Sequence, residues 1–223
     1  MLYLVATPIG NLEDLTPRAR RILSEVRAVY CEDTRRTKRL FSHFDIHTPL
    51  LRYKDRDPRG VEHILERLRR GENLALASDA GTPVVSDPGL DLVAQARREG
   101  LEVLPLPGAC SVPAAVAASG LPGDSFVFLG FLPRSPGKLR KTLAQAATLE
   151  RTIVVFESPY RVVKLLRLAE EVLGARAQAA ICRELSKLHE EWWSGTLDSV
   201  RGALEARGKL LGEFVVLFHP RRI

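Results

Sequence analysis

The sequence has few cysteines and no long apolar run. Its three cysteines, Cys31, Cys110 and Cys182, stand far apart and cannot all pair with one another, which indicates a reducing compartment. No stretch of about 18 apolar residues occurs, so no membrane-spanning helix is expected. The first residues, MLYLV, include neither a basic leader nor a cleavable apolar segment. We therefore expect a soluble protein of the cytoplasm.

Common ligand-binding signatures are also missing. No G-x-G-x-x-G motif follows the first predicted strand, which argues against a dinucleotide-binding fold. Residues 202–209 have one residue too many between their glycines for a phosphate-binding loop, and Leu210 stands where that motif needs Ser or Thr. His43 and His47 have no third imidazole or cysteine at metal-ligand spacing. We expect both histidines to be ordinary surface residues, and we expect no metal cofactor.

Arginine is abundant and gives the chain a positive charge. The 223 residues include 33 Lys plus Arg against 27 Asp plus Glu, a net charge of +6, and 26 of the 33 cations are arginine. Arginine binds phosphate through two parallel N–H donors and stacks on bases, so this composition is compatible with a nucleic-acid partner. Genomic composition also raises arginine content, and the charge alone does not decide between the two explanations.

Apolar runs of strand length alternate with helical periodicity along the chain. Residues 2–6 and 73–77 are typical of buried strands, and Thr16-Pro17 is typical of a helix start. Strands interleaved with helices predict an α/β protein with mainly parallel or mixed sheets. Gly, Pro and Asp cluster at 120–124 without any period. We therefore expect an N-terminal domain at residues 1–119, a linker at 120–124 and a C-terminal domain at 125–223.

Three loops of small residues follow predicted strands. Their sequences are TPIGN (7–11), SDAGTP (78–83) and PGACS (107–111), and the similar sequence SDPG follows at 86–89. In an open α/β sheet, ligands bind beyond the carboxyl ends of the strands, and glycine lets the backbone approach a ligand closely. The three loops together favour a site for an adenosine and an amino-acid zwitterion. Each loop taken alone is also compatible with an ordinary βα turn.

Charged segments follow other predicted strands. EDTRRTKR (32–39) opens a basic helix, and ESPYR (157–161) and RELSK (183–187) supply similar groups further along. Carboxylates at a strand end can accept a proton or orient a hydroxyl group. The alternative is that Asp33 or Thr34 caps the basic helix, whose arginines then form a solvated face.

These motifs together resemble the tetrapyrrole methylase superfamily. The similarity runs from residue 2 to about residue 218 and includes LVATPIGNLEDLT (4–16), CEDTRRTK (31–38), SDAGTPVVSDPG (78–89), PLPGACSVPAA (105–115), FESPYR (156–161) and RELSKLHEE (183–191). TPIGNLED, EDTR, SDAGTP and RELSK resemble the branch that methylates a cytidine 2′-hydroxyl in 16S ribosomal RNA. Porphyrin-directed relatives typically have Gly-Asp-Pro where this chain has Gly81-Thr82-Pro83.

The resemblance implies a class III methyltransferase fold of two α/β domains with S-adenosylmethionine in the cleft between them. It also implies a homodimer that acts on 16S rRNA within the small ribosomal subunit, with no DNA or membrane partner. The expected cofactor contacts, largely through backbone, are Pro8, Ile9, Gly10, Asp79, Gly81, Thr82, Pro83, Val84, Cys110, Ser111, Phe156 and Glu213. The candidates for assisting the 2′-hydroxyl are Asp33, Glu32 and Glu157. The candidates for holding RNA phosphates are Arg35, Arg36, Arg161 and Lys187.

Two departures from the family pattern and two rival functions accompany this interpretation. Family members commonly carry a histidine in the loop that reads YKDRD (53–57) here, and many continue into a C-terminal helical segment, whereas this sequence ends at Ile223. We therefore expect the RNA contacts to come from the two domains themselves. A corrin or sirohaem methyltransferase on the same fold needs a wide apolar cleft, which the arginines disfavour. A non-catalytic RNA-binding module with the same fold is the second rival.

Overall fold

The chain forms two compact units, each with its own five-stranded sheet. The computed structural model describes residues 1–221, so Arg222 and Ile223, where the sequence ends, lie outside the described residues. The first unit is Met1–Cys110 and the second is Ser111–Ile223. The α/β class predicted from the sequence is confirmed. The chain passes from one unit to the other before the expected linker at 120–124, because the helix at Ser111–Ala118 packs against the last strand of the second unit.

The first unit alternates parallel strands with helices. Its elements are β1 (Leu2–Val5), α1 (Pro17–Glu25), β2 (Ala28–Cys31), α2 (Thr34–Phe44), β3 (Leu50–Arg52), α3 (Pro58–Arg69), β4 (Leu74–Ala77), α4 (Leu90–Arg98) and β5 (Val103–Leu106), with a 3₁₀ turn at Leu12–Asp14. The sheet has the order β3-β2-β4-β1-β5, and all of its neighbours are parallel. The predicted start of α1 is confirmed, since the Thr16 hydroxyl accepts a hydrogen bond of 3.1 Å from the Ala19 N–H.

The helices of this unit cover both faces of its sheet. On one face α1 and α2 pack through Leu23 and Phe41, and on the other α3 and α4 pack through Leu65 and Leu92. The chain that leaves β1 therefore turns to one face, while the chain that leaves the neighbouring β4 turns to the other. Such a reversal is a topological switch point, where an open α/β sheet leaves a crevice beyond the carboxyl ends of its strands.

The second unit has a mixed sheet and helices that share a hydrophobic core. Its elements are α5 (Ser111–Ala118), β6 (Phe126–Phe131), α6 (Pro136–Ala147), β7 (Thr152–Glu157), α7 (Val162–Leu173), β8 (Gln178–Arg183), β9 (Glu191–Thr196), α8 (Leu197–Ala206) and β10 (Phe214–His219). The strand order is β6-β7-β10-β8-β9, in which only the β6–β7 pair is parallel. α6, α7 and α8 share one hydrophobic core through Leu143, Leu166 and Val200.

The register of this second sheet brings the ends of several strands together. Glu157, the last residue of β7, and Arg183, the last residue of β8, both pair with Phe214 at the start of β10. Arg183 also pairs with Glu191 at the start of β9. Charged groups that are distant in the sequence therefore meet at one end of the sheet. Within residues 1–221, no helix is both long and apolar enough to cross a membrane.

Candidate functional site

Three loops meet at the carboxyl edge of the first sheet. These strand-end loops, residues 7–11, 78–83 and 107–110, follow β1, β4 and β5. Thr7 and Gly81 exchange two backbone hydrogen bonds of 2.9 Å, and the Thr7 hydroxyl donates to the Ser78 carbonyl at 2.9 Å. The Thr82 hydroxyl donates to the Ala109 carbonyl at 3.1 Å. The loops that the sequence singled out are thus hydrogen-bonded to one another at the switch point.

Glycine is required where these loops touch. Gly81 has a φ of +87°, and a Cβ at this position would lie 3.2 Å from Cγ2 of Ile9. A Cβ at Gly108 would lie 2.9 Å from Cβ of Ala6. Only glycine therefore allows the loops to approach one another this closely at both positions. Of the expected contacts in this unit, Gly10 is exposed, Gly81 and Pro83 are buried, and Pro8, Ile9, Asp79, Thr82, Val84 and Cys110 are half-buried.

The segment after the second loop is strained. Val84 has a φ of 73° and Ser86 a φ of 54°, a left-handed conformation that is rare for residues other than glycine and rarest for β-branched ones. Gly89, where the segment ends, packs so closely that a Cβ would lie 2.5 Å from Cδ2 of Leu76. Strain of this kind persists only where the surroundings enforce it, and it concentrates at functional sites.

A group of carboxylates lies beside these loops. Oδ1 of Asp79 accepts a hydrogen bond of 3.1 Å from the backbone N–H of Asp33. Burial raises the pKa of Asp87 against the opposing effect of a hydrogen bond to Ser78, and the nearby charges of Glu32 and Asp79 raise it further. Asp87 is not among the residues predicted from the sequence, although the repetition of Ser-Asp at 78–79 and 86–87 points to it.

Asp33 is the N-cap of α2, which confirms one of the two interpretations of its motif. Its carboxylate accepts hydrogen bonds from the Arg35 backbone N–H at 2.9 Å and from Nε and Nη2 of Arg35 at 3.1 and 2.9 Å. The Arg35 side-chain bonds, followed by the backbone bond, hold the pKa of Asp33 well below its usual range. The Asp33 carboxylate is therefore a weak base that stays ionised.

In the second unit, Glu157 is a buried acid at the end of β7. Only 3% of the residue is exposed, and its Oε1 accepts the Ser158 N–H at 2.8 Å. Nη2 of Arg161 lies 3.2 Å from Oε2, a charge contact without hydrogen-bond geometry, and Oε2 has no hydrogen-bond partner in the described part of the chain. The same Nη2 donates to the carbonyls of Leu132 and Pro133 at 3.3 and 3.4 Å. Arg161 is thus engaged inside its own unit.

Lys187 and Glu213 belong to a second network, in which the Glu213 side chain is 74% exposed. Nζ of Lys187 lies 2.9 Å from Oε1 of Glu184 and 2.9 Å from Oε2 of Glu213. The backbones of Glu184 and Glu213 are also joined, by a 2.9 Å hydrogen bond from the Glu184 N–H to the Glu213 carbonyl. A Cβ at Gly212 would lie 2.7 Å from the Glu184 carboxyl. The sequence presents Glu184 only as part of RELSK, because its pairing with Glu213, almost thirty residues away, has no local signal.

The two remaining expected contacts also lie in the second unit. The Phe156 ring packs edge-on against Phe128 and Phe131, with ring centroids 4.9 and 5.6 Å apart. Phe131 is 62% exposed, so this aromatic group reaches the surface of the unit. Ser111 is the half-buried first residue of α5. Residues 1–221 contain no group of three or more His, Cys, Asp or Glu side chains arranged to hold a metal ion.

Comparisons with known proteins agree with the fold and the motifs. The family model for tetrapyrrole (corrin/porphyrin) methylases matches residues 1–201. A cobalt precorrin-4 methyltransferase, a cobalamin biosynthetic enzyme, has a similar structure, with a TM-score of 0.71 at 18% identity over 97% of this chain and 93% of that one. The uroporphyrin-III C-methyltransferase of Thermus thermophilus, solved with S-adenosylhomocysteine, gives a TM-score of 0.63 at 22% identity over 97% of this chain and 96% of that one. These identities establish the shared fold alone.

Sequence relatives are considerably more similar. The protein of Halalkalibacterium halodurans named ribosomal RNA small subunit methyltransferase I is 46% identical to this chain, over 97% of this chain and 74% of that protein. The protein of that name in Thermotoga maritima is 45% identical over 97% of this chain and 96% of its own length. The chain therefore belongs to the tetrapyrrole methylase family, in the group of relatives named ribosomal RNA small subunit methyltransferase I.

Proposed function

We propose that this chain transfers a methyl group from S-adenosylmethionine to the ribose 2′-hydroxyl of a cytidine in 16S rRNA of the small ribosomal subunit. The observation that carries the proposal is the 45% identity with the Thermotoga maritima methyltransferase along nearly the full length of both chains. The motifs TPIGNLED, EDTR, SDAGTP and RELSK supply the expectation of a cytidine ribose as acceptor. A cytoplasmic homodimer is part of the same proposal.

The strand-end loops suit the methyl donor. When bound, S-adenosylmethionine supplies a methyl group that its sulfonium makes electrophilic. Backbone groups of residues 8–10, 79–84 and 110 would hold it, since the close packing at Gly81 and Gly108 brings the main chain, rather than bulky side chains, to this edge. The hydrogen bonds between Thr7 and Gly81 keep the loops in a fixed arrangement before any ligand arrives, which reduces the entropy lost on binding.

We assign a different role to each of the three candidate carboxylates. An alcohol is a poor nucleophile, so a group that orients the hydroxyl or accepts its proton assists the reaction. Asp33 suits the orienting role, because Arg35 keeps it ionised and weakly basic. Glu32 is exposed beside it and is the better candidate for accepting the proton. The Glu157 side chain is only 1% exposed, so it suits a structural role in which it holds Arg161.

RNA contacts are best assigned to α2. Arg35 and Arg36 are exposed on that helix, and the Arg35 side chain is 88% exposed even though it pairs with Asp33. The side chains of Arg161 and Lys187 are only 27% and 29% exposed. Phosphate contacts release condensed counterions, so we expect RNA affinity to fall steeply as salt rises.

The test is methyl transfer with defined acceptors. Purified protein is incubated with methyl-labelled S-adenosylmethionine and, in parallel, with unmodified small subunits, free 16S rRNA, large subunits or uroporphyrinogen. The proposal predicts label in 16S rRNA of small subunits, recovered after nuclease digestion as 2′-O-methylcytidine. Label on uroporphyrinogen alone would favour the tetrapyrrole rival, and RNA binding without any transfer would favour the non-catalytic module.

A further inference from the structure

A small pocket opens between α2 and the strand-end loops of the first unit. Its volume is about 170 Å³, and its walls include Arg36 and Arg39 from α2 together with Thr7, Leu12, Ser78 and Asp79. It therefore adjoins two of the loops that we assign to the methyl donor. Arg36 is one of the candidates for holding RNA phosphates, and Arg39 is not among them.

The two arginines of this pocket are free to bind an anion. They stand three residues apart on α2, so their side chains lie on the same side of the helix. Both are exposed, and within residues 1–221 neither guanidinium makes an ion pair or a hydrogen bond. Arg35 differs, because its guanidinium is bound to Asp33. Two guanidinium groups without a partner in residues 1–221 thus line the same pocket.

The pocket wall also contains one carboxylate, that of Asp79, whose Oδ1 accepts the backbone N–H of Asp33. Two guanidinium groups therefore stand against one carboxylate in the wall. A pair of guanidinium forks matches the oxygens of a phosphodiester through charge-assisted hydrogen bonds.

The size of the pocket favours a phosphate rather than a nucleoside. Pockets that enclose drug-sized ligands measure roughly 300–1,000 Å³, and this one, at about 170 Å³, is smaller. Leu12 contributes an exposed apolar side chain to the wall, against which a sugar can pack.

We propose that Arg36 and Arg39 bind, in this pocket, a backbone phosphate of the RNA substrate next to the nucleotide that is methylated. The proposal rests on the proposed function and specifies how its site holds the substrate. Because the pocket shares Thr7, Ser78 and Asp79 with the strand-end loops, a phosphate bound there fixes the neighbouring ribose close to the donor. Holding two reactants in place in this way is itself a large contribution to rate.

The test compares three single substitutions on one helix. Arg36→Gln and Arg39→Gln remove the charges that face the pocket, and Lys38→Gln removes an exposed charge that lies between them in sequence but does not line the pocket. Affinity for labelled small subunits is measured at several salt concentrations, and S-adenosylmethionine affinity is measured by equilibrium dialysis. Urea denaturation checks that all three variants are folded.

We expect each arginine variant to bind RNA about tenfold more weakly and to lower the logarithmic salt slope by about 1. Lys38→Gln should change affinity by less than about twofold, and donor affinity should stay the same in all variants. Equal losses in all three variants would show a general charge effect and overturn the proposal, as would unchanged RNA affinity or a loss of donor affinity in the arginine variants. A wild-type protein that labels no RNA would contradict the proposed function instead, whatever the variants do.

Discussion

Replacing Gly81 with alanine should weaken donor binding as well as lower the free energy of unfolding. Gly81 has a φ of +87°, and the new Cβ would lie 3.2 Å from Cγ2 of Ile9. A left-handed conformation costs a non-glycine residue about 1–2 kcal/mol, partly offset by the lower entropy of the unfolded chain. Ile9, or the loop that carries it, must also move by a few tenths of an ångström. We expect a loss of about 1–2 kcal/mol in the free energy of unfolding and a donor affinity reduced at least tenfold, or about 1.4 kcal/mol.

Gly71 offers a matched control. It has a φ of +82° at the end of α3, but a Cβ there would meet no atom within 4 Å. Gly71→Ala should therefore cost a similar backbone strain and leave donor affinity unchanged. Urea denaturation measures the first quantity and equilibrium dialysis with S-adenosylmethionine the second. Equal donor affinities in the two variants would refute the assignment of the strand-end loops to the donor.

Three further outcomes are expected. Asp33→Asn keeps the helix cap, because asparagine caps as well as aspartate, so donor affinity should persist while methyl transfer slows at least tenfold; undiminished transfer would remove Asp33 from the mechanism. Arg161→Met leaves the buried charge of Glu157 without its cation and should lower the free energy of unfolding by about 3 kcal/mol. The loss should be less than half as large in a Glu157→Gln background, and additive effects in this double-mutant cycle would contradict the pairing. Burial raises the pKa of Asp87, so the folded protein holds the proton of this carboxyl more tightly than the unfolded chain does. The free energy of unfolding should therefore fall as the pH rises from the ordinary aspartate pKa, about 3.9, through the pKa of Asp87 in the folded state. Urea denaturation at pH 4 to 7 measures this fall, which Asp87→Asn should remove. The same pH dependence in the variant would contradict the role of Asp87.

Elements that local sequence determines could be predicted. The start of α1 follows from Thr16 and Pro17, whose capping bond spans only three residues. The three loops could be selected because each follows an apolar run, and ligands bind beyond the carboxyl ends of strands. α5 escaped prediction because SVPAAVAA is apolar on nearly all sides and shows no helical stripe.

Properties that depend on distant pairing could not be predicted. The insertion of β4 between β2 and β1, which creates the switch point, follows from contacts between residues more than forty positions apart. The same holds for Lys187, a residue expected at the RNA surface, whose ion pair with Glu213 joins positions 26 residues apart. The left-handed backbone of Val84 has no sequence signal, because β-branched residues are rare in that conformation.

A crystal structure of the protein with S-adenosylhomocysteine would test the central claim most directly. We predict that the nucleoside and the amino-acid group lie against the backbone of residues 8–10, 79–84 and 110, within hydrogen-bond distance of main-chain atoms. A product bound elsewhere, with these loops untouched, would contradict it.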